Sequence, residues 1–293
     1  MSKTKLVYIW SLRNAAADQA GRHIAYKGEQ RYMQSPLEHL AHLLNDTWLG
    51  DVYTLAGVIH DDDEHLPRDR ERLGDYGFSP RPGAPWFYPA GLTVQGRPLE
   101  TLRHAVPSSY RRHPPGAPER GPGKHDFERR LHDRLVALGA ELVVLDGLLI
   151  ILDELVRPGA DFARRIVNIH PGITRPDSPF QRRGAYATLD ALYGARGLRV
   201  DDWATLRTVP APRIPMTGAS FHYVDNGIDS GEVIVDVLDT HIDPADTILE
   251  LRWNNFNRSL FPALAQGLAH LVGAGLTRAS DTPNPLEPAE LLP

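Results

Sequence analysis

The sequence predicts an α/β fold: a mostly parallel sheet with helices on both faces, interrupted by one long irregular insertion. Three observations predict it. Strand-like and helix-like segments alternate over most of the chain. The first apolar run, residues 5–12 (KLVYIWSL), is a short block rich in β-branched and aromatic residues, as a buried strand requires. Motifs rich in Asn, His, Gly and Asp fall directly after strand-like runs, at the strand ends where open α/β sheets bind ligands.

Taken in order, residues 13–33 are polar, with Gly21 and Gly28, and read as a long loop or broken helix over the end of the first strand. Ser35 is placed to cap a helix over 36–49, with Pro36 at its first position and Leu37, Leu40, Leu43 and Leu44 on one face. Residues 52–60 (VYTLAGVIH) read as a second strand. Residues 61–124 are rich in Pro, Gly, Arg and His with little period; they read as an irregular insertion with short strands near 86–88 and 92–94. Regularity returns at 126–138 (DFERRLHDRLVAL), an amphipathic helix with Gly139 as its C-cap. A strand over 141–145, a short helix beginning at 150–156, a strand over 165–170 and a helix over 185–193 follow. Residues 219–224 and 232–238 pair as strands around the turn 225–231. Residues 247–271 form a closing helix with an interruption at Pro262, and 281–293 are a Pro-rich tail. This organisation is a single domain over 1–293, with 61–124 as the insertion and 126–272 as the core that holds the motifs.

The bulk properties narrow the function. A chain of 293 residues is long enough for a sizeable buried core. The formal net charge of -5 argues against a nucleic-acid-binding surface. The absence of cysteine excludes disulfides, thiolate metal sites and a cysteine nucleophile. The first apolar run is too short for a secretory signal, and no stretch approaches a membrane span of about 18 apolar residues. These readings lead to the expectation of a cytoplasmic protein with neither membrane nor nucleic acid as partner.

Two motifs carry the chemistry. Asn168-Ile169-His170-Pro171 ends a predicted strand, and residues two apart on a strand point the same way, so Asn168 and His170 can face one pocket while Ile169 faces the core. The second is the run T-G-A-S-F-H-Y-V over 217–224, followed by D-N-G-I-D-S-G over 225–231, a turn that can deliver a carboxylate to a histidine from elsewhere. The pair N-x-H-P and T-G-x-S-x-H-x-V-x-x-x-x-D-x-G resembles the folate-dependent formyltransferases, which implies the formyltransferase-type, Rossmann-like version of the α/β fold. The resemblance matches Asn168, His170 and Asp229 to the family's catalytic residues. Along nearly the whole chain the sequence is similar to the hydroxyornithine formyltransferases of pyoverdine-type siderophore pathways. S-L-R-N (11–14), Y-K-G-E (26–29), D-D-D (61–63), T-R-P-D-S-P-F-Q-R-R-G (174–184) and E-L-R-W-N-N-F-N (250–257) carry that closer match. The first loop departs from the wider family in lacking the Gly-rich pattern that holds a nucleotide phosphate.

These residue types suit formyl transfer. Attack on a formamide carbon passes through an oxyanion, and an amide N–H from Asn168 can stabilise it; losing one such donor typically costs ~10²–10³ in rate. His170 can act as an imidazolium or relay the proton, and Asp229 can orient it and raise its pKa. The resemblance implies 10-formyltetrahydrofolate as formyl donor, held by backbone of Leu149, Ile150 and Leu152 and of the turn Asp225, Asn226, Gly227 and Ile228, with no metal. The acceptor it implies is the side-chain hydroxylamine of hydroxyornithine, with Arg13, Lys27, Gln181, Arg182 and Arg183 as candidates for its carboxylate and Glu29 and Asp61 for its ammonium. Formylation of another amine, such as an amino sugar or glycinamide ribonucleotide, a formate-releasing hydrolase, and a non-catalytic folate or siderophore-intermediate binding protein are the alternatives. His222 is expected to be structural, and His60-Asp61-Asp62-Asp63-Glu64-His65 a solvated acidic loop.

Overall fold

The computed structural model describes residues 2–76 and 86–274. The chain runs β1 (Thr4–Trp10), α1 (Leu12–Ala17), β2 (Arg22–Tyr26), β3 (Glu29–Met33), α2 (Pro36–Asp46), α3 (Leu49–Val52), β4 (Tyr53–His60) and α4 (Pro67–Asp75). It continues through β5 (Thr93–Val94), β6 (Arg97–Pro98), β7 (Arg103–Ala105), α5 (Arg120–Leu138), β8 (Leu142–Asp146), β9 (Ile166–His170), α6 (Ala187–Ala195), β10 (Leu198–Asp202) and β11 (Arg207–Pro210). It ends with β12 (Met216–Tyr223), β13 (Val233–His241), α7 (Ile248–Asn255) and α8 (Phe261–Gly273). Among the described residues, seven strands form one sheet in the order β13-β12-β9-β8-β1-β4-β7. Strands β9, β8, β1, β4 and β7 are parallel; β12 runs antiparallel to β9, and β13 antiparallel to β12.

Alternation along β1 shows why helices cover both faces. Leu6, Tyr8 and Trp10 pack with Leu37, Leu40 and Leu44 of α2 and Leu264 and Leu268 of α8. Val7 and Ile9 pack on the other side with Phe127, Leu131 and Leu135 of α5. The helix expected after Ser35 forms, and the Ser35 hydroxyl accepts from Glu38 N at 3.0 Å. Gly139 closes α5 at φ 64°.

Several expectations are corrected. Residues 13–33 hold a helix and the β2–β3 hairpin, whose two-residue loop, Lys27 at φ 46° and Gly28 at φ 87°, has the double positive φ of a type I′ turn. Residues 86–88 are not a strand, and 61–124 contain α4, three short strands and the first five residues of α5. Residues 150–156 do not start a helix, because Asp153 N and Glu154 N donate to the Glu128 carboxylate at 2.9 and 2.8 Å instead of to helical carbonyls. The hairpin β10–β11 was not foreseen. The acidic run is not solvated: Asp61, Asp62 and Asp63 are all buried. The interruption at Pro262 takes the form of a π-helical turn over Phe256–Leu260, since proline supplies no N–H to the ladder. The tail 281–293 and residues 77–85 of the insertion lie outside the described residues.

Helix α8 approaches the sheet closely at Gly267, where an added Cβ would stand 2.2 Å from Phe221 Cδ1, a fully buried ring on β12. Helix propensity favours alanine there by about 1 kcal/mol. Overpacking against a fixed ring outweighs that, so Gly267→Ala is expected to cost about 1–3 kcal/mol net of such gains. The check is thermal unfolding: the variant should melt a few degrees lower, by about 2–4 °C per kcal/mol for a domain of this size.

Candidate active site

A cavity of about 470 Å³ opens at the carboxyl ends of β1, β8 and β9. The position is where strand order reverses, β4 lying on one side of β1 and β8 on the other. Register brings the polar side chains together. His222 of β12 is opposite Asn168 of β9, and Ser220 is opposite His170. Ile169 between them is buried in the core on the other face. The turn after β12 then supplies Asp229, held in the left-handed region at φ 46°. Gly184 N donates to Asp229 Oδ2 at 2.8 Å, which ties this turn to the loop before α6.

Asn168, His170, Asp229 and His222 form one cluster. Asn168 Nδ2 donates to Asp229 Oδ1 at 3.1 Å. His222 Nδ1 lies 2.7 Å from its neighbour's carbonyl, Tyr223 O, which calls for a proton on that nitrogen. Its Nε2 then accepts from Asn168 Nδ2 at 3.3 Å. Both hydrogens of the Asn168 amide are thus engaged, and a donor role toward an oxyanion requires the amide to release one of them. His170 Nε2 donates to Arg182 O at 3.0 Å, and its Nδ1 faces Asp229 Oδ2 at 3.4 Å.

The charges are set by burial. Desolvation lowers the pKa of His170, against the pull of Asp229, so the ring is neutral near pH 7. Burial alone would raise Asp229, but the His222 and His170 rings in their protonated forms, with the Gly184 N–H, outweigh it and hold the carboxyl well below its usual range. A proton arriving at His170 Nδ1 therefore meets an anion already in place.

The donor-pocket residues fall into two groups. Leu149, Ile150, Asp225, Gly227 and Ile228 line the cavity. Leu152 is fully buried in the core beneath it, and Asn226 does not line it. Leu149, Ile151 and Ile228 are exposed apolar side chains at its rim.

None of the acceptor candidates lines the cavity. Arg13 pairs with Asp61, Asp62 and Asp69. Asp61 also accepts from the Ser108 hydroxyl at 2.6 Å and, desolvated beside Asp62, has its pKa pushed up to about 7. Lys27 pairs with Asp243 and Asp246, and Glu29 stands exposed beside Arg31. Gln181 lies near the carbonyls of Thr174 and Arg175, Arg182 pairs with Asp190, and Arg183 donates to Thr174 O. Sequence reasoning missed His222 as a member of the cluster, though its place opposite Asn168 follows once the two strands pair. It also missed Asn14, Asp18, Asp146, Thr188 and Arg252, which line the cavity.

Comparison with solved structures fits this geometry. PvdF of pyoverdin biosynthesis, a structurally unique N10-formyltetrahydrofolate-dependent formyltransferase, matches with a TM-score of 0.87 at 67% identity, covering 92% of this chain and 99% of its own. A phosphoribosylglycinamide formyltransferase from Anaplasma phagocytophilum matches with a TM-score of 0.51 at 15% identity, covering 94% and 89%. Glycinamide ribonucleotide transformylase 1 from Symbiobacterium toebii matches at 0.50 and 18%, covering 93% and 89%. At such identities these two share the fold alone. No family model and no curated protein matches the chain.

The charge arrangement is testable by NMR titration. His170 is expected to titrate below the ordinary histidine value of about 6.5. In Asp229→Asn it should titrate lower still, because the attraction is lost while the burial remains. A midpoint that stays or rises would show that the carboxylate does not act on this ring.

Proposed function

The chain belongs to the N10-formyltetrahydrofolate-dependent formyltransferases, and on that premise we propose that it formylates the side-chain hydroxylamine nitrogen of hydroxyornithine. The product, a formylated hydroxamate, would serve a pyoverdine-type siderophore as a bidentate oxygen ligand for ferric iron. The observation that carries this reading is the near full-length identity of 67% with PvdF of pyoverdin biosynthesis. The reaction is assigned to the cytoplasm; among the described residues no helix is long and apolar enough to cross a membrane.

The cavity suits the donor. Its apolar rim of Leu149, Ile151 and Ile228 fits an aryl ring and its linker, while the backbone of 147–151 and 225–228 offers amide and carbonyl edges to a flat heterocycle. The donor supplies the formyl group on its N10. In the proposed mechanism Asn168 turns an amide N–H toward the carbonyl oxygen, where negative charge develops. His170, neutral at rest, accepts the proton lost by the attacking nitrogen and passes it to the leaving nitrogen. Asp229 stabilises the imidazolium formed between the two transfers and keeps the ring oriented. His222 holds the Asn168 amide by its edge. A hydroxylamine is less basic than an alkyl amine, so it presents a free electron pair near neutral pH without a strong base.

The assay combines protein, 10-formyltetrahydrofolate and hydroxyornithine, with ornithine as control, and follows tetrahydrofolate release and product mass. Turnover is expected with hydroxyornithine and far less with ornithine. His170→Ala and Asp229→Ala should each lose on the order of 10²–10⁴ in rate, and Asn168→Ala about 10²–10³, with melting temperatures near wild type. Turnover of another amine but not of hydroxyornithine would sink the acceptor assignment. Rates within a few-fold of wild type in both the His170 and Asp229 variants would sink the catalytic one.

A further inference from the structure

The cavity wall formed by α1, the end of β8 and α7 carries charged groups that the proposed transfer does not use. Asp18, Asp146 and Arg252 all line it. Arg252 Nη1 lies 3.2 Å from Asp18 Oδ1. Asp146 Oδ2 accepts from Tyr8 Oη at 2.7 Å. Of the two carboxylates only Asp18 pairs with the guanidinium, and Arg252 Nε is buried with no hydrogen-bond partner among the described residues. Burial pushes both carboxyls up, Asp146 to about 6 and Asp18 against the pull of Arg252. A wall of this kind holds one more carboxylate than cation, and an arginine with donors beyond the one that Asp18 takes.

An α-amino-acid head group offers a partner to each. Its ammonium would sit against Asp146 and Asp18, and its carboxylate on Arg252. Asp146 shares the face of its register partner Ile169, across the strand end from Asn168 and His170, and all of these line the one cavity. Adjacent strands lie ~5 Å apart, so a head group at Asp146 is at least that far from the catalytic strand end. A side chain of three methylenes covers that distance. A phosphorylated acceptor would instead meet two carboxylates, which repel it.

The wall is built to hold its shape. The amides of Leu12 and Arg13 donate to the Asp62 carboxylate at 2.6 and 3.2 Å, fixing the start of α1 ahead of Asp18. The β2–β3 hairpin fixes α7 around Arg252: Tyr26 Oη donates to Asn254 Oδ1 at 2.7 Å, Lys27 N to Glu250 Oε1 at 2.8 Å, and Trp253 Nε1 to Tyr32 O at 3.0 Å.

We propose that Asp18, Asp146 and Arg252 form the subsite that binds the α-ammonium and α-carboxylate of the acceptor, and so select an amino acid over other amines. This rests on the reading of the acceptor as hydroxyornithine. The test compares kcat/KM for hydroxyornithine and for its decarboxylated analogue, N-hydroxy-1,4-diaminobutane, in wild type, Arg252→Met and Arg252→Lys. Wild type should favour the amino acid by roughly 10- to 100-fold, the worth of a charged hydrogen-bonded pair. Arg252→Met should collapse that ratio to within about threefold, chiefly through KM. Arg252→Lys keeps the charge but not the planar fork, so it should give an intermediate ratio, and it carries the test should the methionine variant not fold. A wild-type enzyme that turns over hydroxyornithine, with a ratio that survives in both variants, overturns the subsite alone. A wild-type enzyme that does not turn over hydroxyornithine overturns the acceptor assignment and the subsite with it.

Discussion

Strand β9 is bonded to β8 in parallel and to β12 antiparallel, and the register of that second pairing decides where every polar group of the cluster lies. With His222 opposite Asn168 and Ser220 opposite His170, the four side chains share one face, while Ile169 and Phe221 share the other and seal the core. A slip of one residue would exchange the two sets, putting imidazoles into the core and apolar groups at the cavity. The burial of Phe221 against Gly267 and of Ile169 in the same cluster penalises that slip. The cluster is therefore held by hydrophobic contacts on the face away from it. Asp229 needs a separate constraint, since it reaches the cluster from a turn at positive φ; the Gly184 N–H and the Asn168 amide provide it.

Much of this was legible because strands and catalytic motifs have short periods. Asn168 and His170 two apart before a proline, and a carboxylate in a Gly-rich turn after a second strand, are local patterns, and the sheet preserves them. The core strands were readable for the same reason, as blocks of β-branched and aromatic residues. The errors came where a long-range partner overrides the local pattern. Residues 150–156 are apolar enough for a helix, but Glu128, on a helix more than twenty residues upstream, takes the amides a helix would use. The β2–β3 hairpin was readable in principle from Lys27-Gly28, yet its flanks are polar because one side faces solvent and the other covers α7.

Charged residues were the hardest to place. Arg13, Lys27, Glu29 and Asp61 lie in segments that mark the chain's closer kinship, and each was read as touching the acceptor. The structure gives most of them to the scaffold. Asp62 and Arg13 anchor α1, while the 26–29 segment and the 250–257 segment, far apart in sequence, pack on one another. Sequence shows that such residues belong together; it does not show which carboxylate is neutralised by a neighbour and which is left facing a cavity. That distinction depends on burial and pairing: Arg13 and Asp61 are paired away from the cavity, while Asp18, Asp146 and Arg252 line it.

The two halves of the cavity then divide the work by charge. At the catalytic end burial keeps His170 uncharged and its partner Asp229 ionised, an arrangement suited to a nucleophile that arrives already unprotonated. At the other end lie two desolvated carboxylates, Asp146 bonded to Tyr8 and Asp18 paired with Arg252. The π turn over Phe256–Leu260 sets Phe256 and Leu260 into the cavity about one and two turns after Arg252. On the proposed reading, transfer to a hydroxylamine does little to reject a wrong acceptor, so selectivity falls to the charged wall.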